Sequence, residues 1–463
     1  MATPIPTNDA AFTVAEIAQA TAGHVVRVVA DGGAGVTSDS RAVVPGGIFV
    51  ALRGEHHDGH AFVDAAAGRG ASVLVVARGA KVPDTVSTVE VEDTLVAWGD
   101  LARAHLARWN GRLVAITGSA GKTTTKELTA ALLSAIGPTH FTAGNLNNRI
   151  GVPAVVFALP PDARFCVLEM GMSLRGEMDA MVAFARPDVS VIVNVGLAHA
   201  EGVGGGREGV MHEKGAVYRA LGPEGIAVVN ADDPYVVRAA SATRARRIET
   251  FGDAGSYRIL ARAASAAGST LRLACAGREL DVVLPLPGEA AATDLCAALA
   301  AQEAASGVKL TAEAIDRALA GLAVPGRGSI RRIANDVLVI DDTYNANPAS
   351  MRASLATLAE LAGARRRVVV LGEMKELGAI AEEEHTALGD AIADAGVALA
   401  IGCGGLIAQS LARAAVRGVE VVSTASTTDA AEVARERVQP GDVVLVKGSR
   451  DVGAERVVAA LER

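Results

Sequence analysis

Residues 113–127 read Leu-Val-Ala-Ile-Thr-Gly-Ser-Ala-Gly-Lys-Thr-Thr-Thr-Lys-Glu: an apolar run, a glycine turn, a lysine–threonine pair and then a helical stretch. A strand that passes through a tight glycine turn into a helix must pack that helix back onto its own sheet, which commits the surrounding chain to an α/β layer with parallel strands. The glycines also let backbone N–H groups approach phosphate oxygens, and the helix N-terminus favours the negative charge. Gly118, Ser119, Ala120, Gly121, Lys122, Thr123 and Thr124 therefore form the expected cradle for ATP or GTP, with Lys122 reaching the terminal phosphates and Thr123 able to ligate Mg²⁺. Ile116 stands where the strict pattern asks for glycine, so the loop is a shortened one. A glycine-capped turn with a solvated lysine is the plainer alternative.

Around this motif, short apolar runs alternate with helical patterns, as expected of an α/β chain. Strands are predicted at 113–117, 165–168, 189–195 and 226–229, and the pattern restarts at 337–341, 367–371, 397–401, 419–422 and 443–446, a second open sheet. Helical periodicity marks 94–109 and 351–361, while the first hundred residues carry shorter strands and a glycine-rich stretch at 31–35. At about 150 residues per domain, 463 residues suggest three domains, divided here as 1–110, 111–324 and 325–463. The second boundary falls at Val324-Pro325-Gly326-Arg327-Gly328.

Composition narrows the function. Aromatics make up 3% and net charge is −8, which disfavours serial base stacking and phosphate coating, so no nucleic-acid partner is expected. No signal peptide is visible before Phe12, and the uncharged run 395–412 reads as strand, turn and helix because Gly402, Gly404, Gly405, Gln409 and Ser410 interrupt it. The expectation is a soluble protein without membrane insertion. Cys166, Cys275, Cys296 and Cys403 lack metal spacing and are expected to be buried free thiols in a reducing cytoplasm.

Polar groups recur just past the predicted strand ends: Glu169, His199, and Asn230 with Asp232 and Asp233. Ligands bind at the carboxyl edge of open parallel sheets, so these groups are expected beside the phosphate loop, with Glu169 as a hard oxygen ligand and His199 holding a second metal or its water. Read singly, Glu169 is a solvated carboxylate, His199 a loop histidine, and the aspartates helix caps. Lys214 reads as a solvated helix lysine. Asn147 and Asn148, in Gly144-Asn-Leu-Asn-Asn-Arg-Ile-Gly151, fit either a phosphate or carbonyl ligand or a plain Asx-rich loop. In Val339-Ile-Asp-Asp-Thr-Tyr-Asn-Ala-Asn-Pro348, Asp342 suits ribose hydroxyls, Tyr344, Asn345 and Asn347 suit a peptide-like substrate, and Ser350 is a candidate helix cap. Arg327 is placed in sequence to reach phosphate on domain closure.

Taken in order, Thr117-Gly-Ser-Ala-Gly-Lys-Thr-Thr-Thr-Lys-Glu127, Gly144 to Pro153, Leu168-Glu-Met-Gly171, Glu213-Lys-Gly215, Asn230-Ala-Asp-Asp233 and the Asp341 to Pro348 segment resemble the Mur ligase family across almost the whole chain. Thr37-Ser-Asp-Ser-Arg41, with Pro45-Gly-Gly-Ile-Phe49 and Asp58-Gly-His60, resembles that family's UDP-sugar-binding domain, which nominates Ser38, Asp39, Ser40 and Arg41 for substrate. The resemblance implies three domains: a uridine-nucleotide substrate domain, a central parallel-sheet P-loop ATPase domain and a C-terminal Rossmann-like domain. Tyr344 to Pro348 and Leu371-Gly-Glu-Met-Lys-Glu-Leu-Gly378 point within the family to the ATP-dependent ligase that joins D-alanyl-D-alanine to UDP-N-acetylmuramoyl-tripeptide for peptidoglycan synthesis. It implies that Lys122, Lys214, His199 and Glu169 are catalytic, and that Thr123, Glu169, His199 and a carbamylated Lys214 support two Mg²⁺ ions. Arg327 and Asp342 align with contacts to ATP phosphate and ribose. A cytoplasmic monomer is the accompanying expectation.

One departure stands out. Where the family reads Gly-x-His-x-x-x-Asn, this chain has Gly288-Glu-Ala-Ala-Ala-Thr-Asp294, placing Ala290 and Asp294 on the adenine side. Two other readings stay open: a relative that adds a different amino acid or acts on folyl-glutamate, and a non-catalytic nucleotide-binding regulator.

Overall fold

A computed structural model describes residues 3–54 and 57–463. Three main sheets follow one another along the chain. The first is five-stranded, ordered His24–Arg27, Ser87–Val91, Val73–Ala77, Ile48–Val50 and Val36–Thr37; only its first pair is antiparallel. A small ribbon pairs Ala11–Thr13 with Gly32–Ala34, inside the glycine-rich stretch.

The central sheet has nine strands. Four parallel ones flank the phosphate-loop strand Arg112–Thr117, giving the order Ile226–Asn230, Val189–Ile192, Arg112–Thr117, Phe165–Glu169 and Thr139–Phe141. All but the edge strand Thr139–Phe141 read as largely apolar runs because helices cover both faces, and every residue of Phe165–Glu169 is buried. On one face the phosphate-loop helix Lys122–Ser134 packs against the alanine-rich helix Glu289–Ser306, whose small side chains bury almost the whole helix. The far edge departs from the expected pattern. Beyond Arg247–Phe251, strands Tyr257–Ser265, Gly268–Cys275 and Arg278–Leu284 form an antiparallel meander with one solvated face.

The last sheet is ordered Ser329–Arg332, Leu338–Asp342, Val443–Lys447, Arg367–Gly372, Leu399–Cys403 and Glu420–Thr424, parallel except for the first pair. Helices on both sides give it two cores. The helix predicted at 351–361 runs Pro348–Ala362, and its cap is Asn347, whose side chain accepts from Ser350 N while Ser350 reaches back, a reciprocal capping box in which Ser350 is the third residue and not the cap.

The strand expected at 189–195 ends at Ile192, because the next residues turn to meet the phosphate loop. The helix Thr94–Leu106 starts on an Asp93 cap and stops short of Trp109, whose indole donates to the Ala163 carbonyl. All four cysteines are buried and free. Among the described residues no helix is long and apolar enough to cross a membrane.

Candidate active site

The phosphate loop begins where Arg112–Thr117 leaves the central sheet. Gly121 takes φ +78°, a left-handed conformation, and a Cβ there would lie 2.5 Å from Asp294 Oδ1. Both demands require glycine. Asn194 shapes the other side: its Oδ1 accepts from Ser119 N at 3.0 Å and Ala120 N at 2.9 Å, and its Nδ2 donates to Ala120 O. Those two N–H groups are thus engaged by protein, which leaves the N–H groups of the first helical turn, with no intrahelical acceptor, facing the cleft. Asn194 lay hidden inside a predicted strand, and only its polarity within an apolar run signalled it.

Two lysines converge on one acceptor. Lys122 Nζ donates to Gly118 O at 2.8 Å and Lys214 Nζ to the same oxygen at 2.9 Å. Lys214 is 1% exposed, so the solvated helix lysine expected from composition is corrected: its helix, Gly206–Lys214, ends against the phosphate loop. Burial, and then the neighbouring Lys122 charge, hold the Lys214 amine well below the usual lysine range, with Glu169 opposing. Burial lowers Lys122 as well.

Glu169 closes the strand beside the loop and is 2% exposed, not solvated. Its backbone N–H donates to Thr142 Oγ1, its Oε1 accepts from Asn147 Nδ2 at 2.8 Å, and its Oε2 is buried without a partner. A buried carboxylate oxygen lacking a donor fits a hard cation. Among the described residues no three His, Cys, Asp or Glu side chains gather as a metal cage. That suits an ion held by one carboxylate, the Thr123 hydroxyl and nucleotide phosphates, the usual arrangement for Mg²⁺.

The opposite wall belongs to the last sheet. Arg327 Nη2 donates to Thr123 Oγ1 at 3.2 Å, and its guanidinium lies 4.0 Å over the Tyr344 ring. Asn347 Nδ2 donates to Ser119 O at 3.3 Å. Asp342 Oδ2 takes Lys447 Nζ at 2.6 Å and Ser354 Oγ at 2.5 Å, which leaves Oδ1 open toward the cavity. Lys447 also donates to Asn345 O. His199, with φ 62°, pairs through Nδ1 with Glu376 Oε2 at 2.9 Å. Glu376 was not anticipated as a partner, although its segment was.

These groups enclose a cavity of about 330 Å³ between the central and last sheets, lined on the inner side by Ser119 to Thr124 and on the outer by Arg327, Asp342 and Asn347. Asp294 and Ala290 line it too; Asp294 is 6% exposed, and burial pushes its carboxyl well above the usual range. Other nominated groups lie elsewhere. Asn148 Oδ1 accepts from Ile150 N and Gly151 N, starting the helix Gly151–Phe157, and so serves the loop. Asp233 caps Pro234–Ala240 and Asp232 accepts from Asp253 N and Ala254 N, so both are structural. Ser38, Asp39, Ser40 and Arg41 form a separate turn at the first sheet, where Asp39 binds the backbone and guanidinium of an exposed Arg41.

A parallel-sheet phosphate loop faced by a second nucleotide-type sheet, with lysines and a buried carboxylate between them, defines a nucleotide-dependent enzyme of α/β architecture. Three family models match the chain: Mur ligase family, catalytic domain, at residues 34–131; Mur ligase middle domain, at 116–302; and Mur ligase, glutamate ligase domain, at 326–450. The chain belongs to the Mur ligase family. It is 38% identical over 434 residues to the UDP-N-acetylmuramoyl-tripeptide--D-alanyl-D-alanine ligase of Escherichia coli, covering 92% of this chain and 93% of that one. Its fold is similar to that of MurF from Acinetobacter baumannii, with TM-score 0.87 and 30% identity over 99% of this chain and 100% of that chain. It is similar also to the MurF ligase from Thermotoga maritima in complex with ADP, with TM-score 0.82 and 29% identity over 92% and 96%.

Proposed function

We propose that this chain is an ATP-dependent amide ligase that joins D-alanyl-D-alanine to UDP-N-acetylmuramoyl-tripeptide. The observation that carries the reading is the convergence of Lys122 and Lys214 on Gly118 O beside the unpartnered Glu169 Oε2, with Arg327 reaching Thr123 from across the cleft. The names of the curated relatives and the ADP-bound neighbour support the same activity.

A carboxylate resists amines because its carbonyl is electron-rich and its leaving group poor. Transfer of the γ-phosphoryl group of ATP to the tripeptide's terminal carboxylate removes both obstacles by making an acyl phosphate. Lys122 and Arg327 bear on the transferring group from opposite walls and offset its charge. The dipeptide amine, with a reference value of roughly 7.7–8.0, sheds its proton, attacks the acyl carbon and expels phosphate through a tetrahedral intermediate. Closure of the last domain keeps water from the acyl phosphate. Thr123 and Glu169, with His199 and Lys214, would hold Mg²⁺, which when bound would supply further charge neutralisation. Burial favours the neutral amine of Lys214, the form that adds to carbon dioxide; loss of a proton then leaves an N-carboxylate suited to a cation.

The reading assigns residues 1–110 to the UDP-muramoyl substrate, with Ser38 to Arg41 contacting it, 111–324 to ATP, and 325–463 to the incoming amine through Tyr344, Asn345 and Asn347, with Asp342 on ribose. It places the protein in the cytoplasm as a monomer. The test is phosphate release with ATP, D-alanyl-D-alanine and the tripeptide ending in meso-diaminopimelate or, in a parallel assay, L-lysine. Turnover with either supports the ligase. Tight binding of both substrates without turnover favours a regulator, and turnover only with other amino acids favours a different ligase of the family.

A further inference from the structure

Two guanidinium groups, one of them that of Arg327, which lines the cleft, share one aromatic ring. The Arg327 carbon lies 4.0 Å and the Arg450 carbon 5.6 Å from the Tyr344 centroid. Burial pushes the Tyr344 hydroxyl up, with Arg327 and Arg450 pulling it down and Glu169 pushing it up, so the ring feels all three charges. Arg327 is committed to the phosphate loop through Thr123. Arg450 is exposed, and among the described residues its guanidinium has no carboxylate partner and donates no side-chain hydrogen bond.

The turn that carries Arg450 is nevertheless firmly set. Ser449 Oγ accepts from Lys375 N at 2.8 Å, Thr427 Oγ1 donates to Val452 O at 2.7 Å, and a Cβ on Gly372 would lie 2.6 Å from Val452. A cation held in place by a ring and a pinned turn, yet lacking an anion, is an anion-binding group awaiting its ligand. The substrate chemistry offers one. The dipeptide must bring its amine to the acyl phosphate near Arg327 while its other end carries a carboxylate. An extended dipeptide spans about 7 Å, and the two guanidinium carbons, at the distances given from one centroid, are separated by no more than that length plus one hydrogen bond.

We infer that Arg450 binds the C-terminal carboxylate of the incoming dipeptide and so sets the enzyme's requirement for a free acid at that end, an inference that rests on the ligase reading above. Arg450 fixes the direction of the dipeptide, amine inward and carboxylate outward against Tyr344. The test compares D-alanyl-D-alanine with its C-terminal amide, D-alanyl-D-alaninamide, on the full chain and on Arg450→Gln and Arg450→Lys. The parent is expected to show a KM about 10- to 100-fold higher for the amide, the range of a hydrogen bond to a charged group. Arg450→Gln is expected to raise KM for the free dipeptide by that factor, leave KM for ATP unchanged, and bring the two dipeptides within about threefold of each other. Arg450→Lys is expected to restore part of the preference, which a merely structural role would not do. A parent ratio retained in Arg450→Gln overturns the assignment of Arg450 alone. Absence of turnover by the parent overturns the ligase reading, and this inference with it.

Discussion

His199, from the central region, and Glu376, from the last, meet at 2.9 Å across the cleft, each on a left-handed backbone with φ 62°. Two non-glycine residues in that conformation on facing loops are unusual, and both line the cavity. The His199 side chain is 22% exposed and that of Glu376 58%, so the pair is reached by solvent and its worth lies in holding the walls together and little in folding energy. Glu376→Gln is expected to change unfolding free energy by no more than about 1 kcal/mol. It is also expected to enlarge the nucleotide-free radius of gyration in X-ray scattering. A larger loss of stability, or an unchanged radius, contradicts this role.

Lys122→Ala is expected to lower kcat by about 10²–10³, the effect of deleting one preorganised charge-stabilising donor. The fold is expected to survive, since the Gly118 carbonyl keeps Lys214 as its donor. Paired kcat and thermal melting measurements check both halves.

Gly121→Ala combines a left-handed φ with a Cβ 2.5 Å from Asp294 Oδ1. A cost of about 1–3 kcal/mol is expected from the backbone alone, with loss of ATP binding. Adding Asp294→Ala relieves the collision but not the φ, so the double variant is expected to recover only part of the loss in urea titration.

Asp294 gives a pH prediction with a definite sign. Burial raises its carboxyl well above the usual range, so the folded chain binds that proton more tightly than the unfolded one. Its contribution to stability is complete below the unfolded value of about 3.9 and is lost as pH rises through the folded value. Asp294→Asn carries no such proton. It is expected to melt above the parent at pH 8, with the gap closing toward pH 5; a gap that widens on acidification refutes the assignment.

Lys214, buried beside Glu169, predicts dependence on dissolved carbon dioxide. Turnover is expected to fall in rigorously degassed buffer and to return with bicarbonate, whereas Lys214→Ala is expected to be inactive and indifferent to bicarbonate.

Much of the core was legible because strands covered on both faces are apolar throughout: Arg112–Thr117, Phe165–Glu169 and Val443–Lys447 begin or end within a residue of the apolar run that announced them. The meander of 257–284 was not, since its solvated face breaks each strand into alternating short and charged residues that resemble loop. At the site, the phosphate loop was legible because its glycines and lysine are adjacent in sequence. Asn194, Glu376 and the Lys447–Asp342 contact were not, because each depends on a partner more than 70 residues away. Lys214 shows the limit most plainly: nothing in a helix of that composition tells a solvated lysine from a buried one, and only the docking of the helix end decides.

The Asn347 amide reaches Ser119 O from the far wall, and Arg327 reaches Thr123 in the same way. The chamber is therefore a seam and not a hole: neither layer owns it. A small molecule wedged along that seam would silence the protein while leaving every reactive group chemically intact, by holding the two layers too far apart to act on one phosphate.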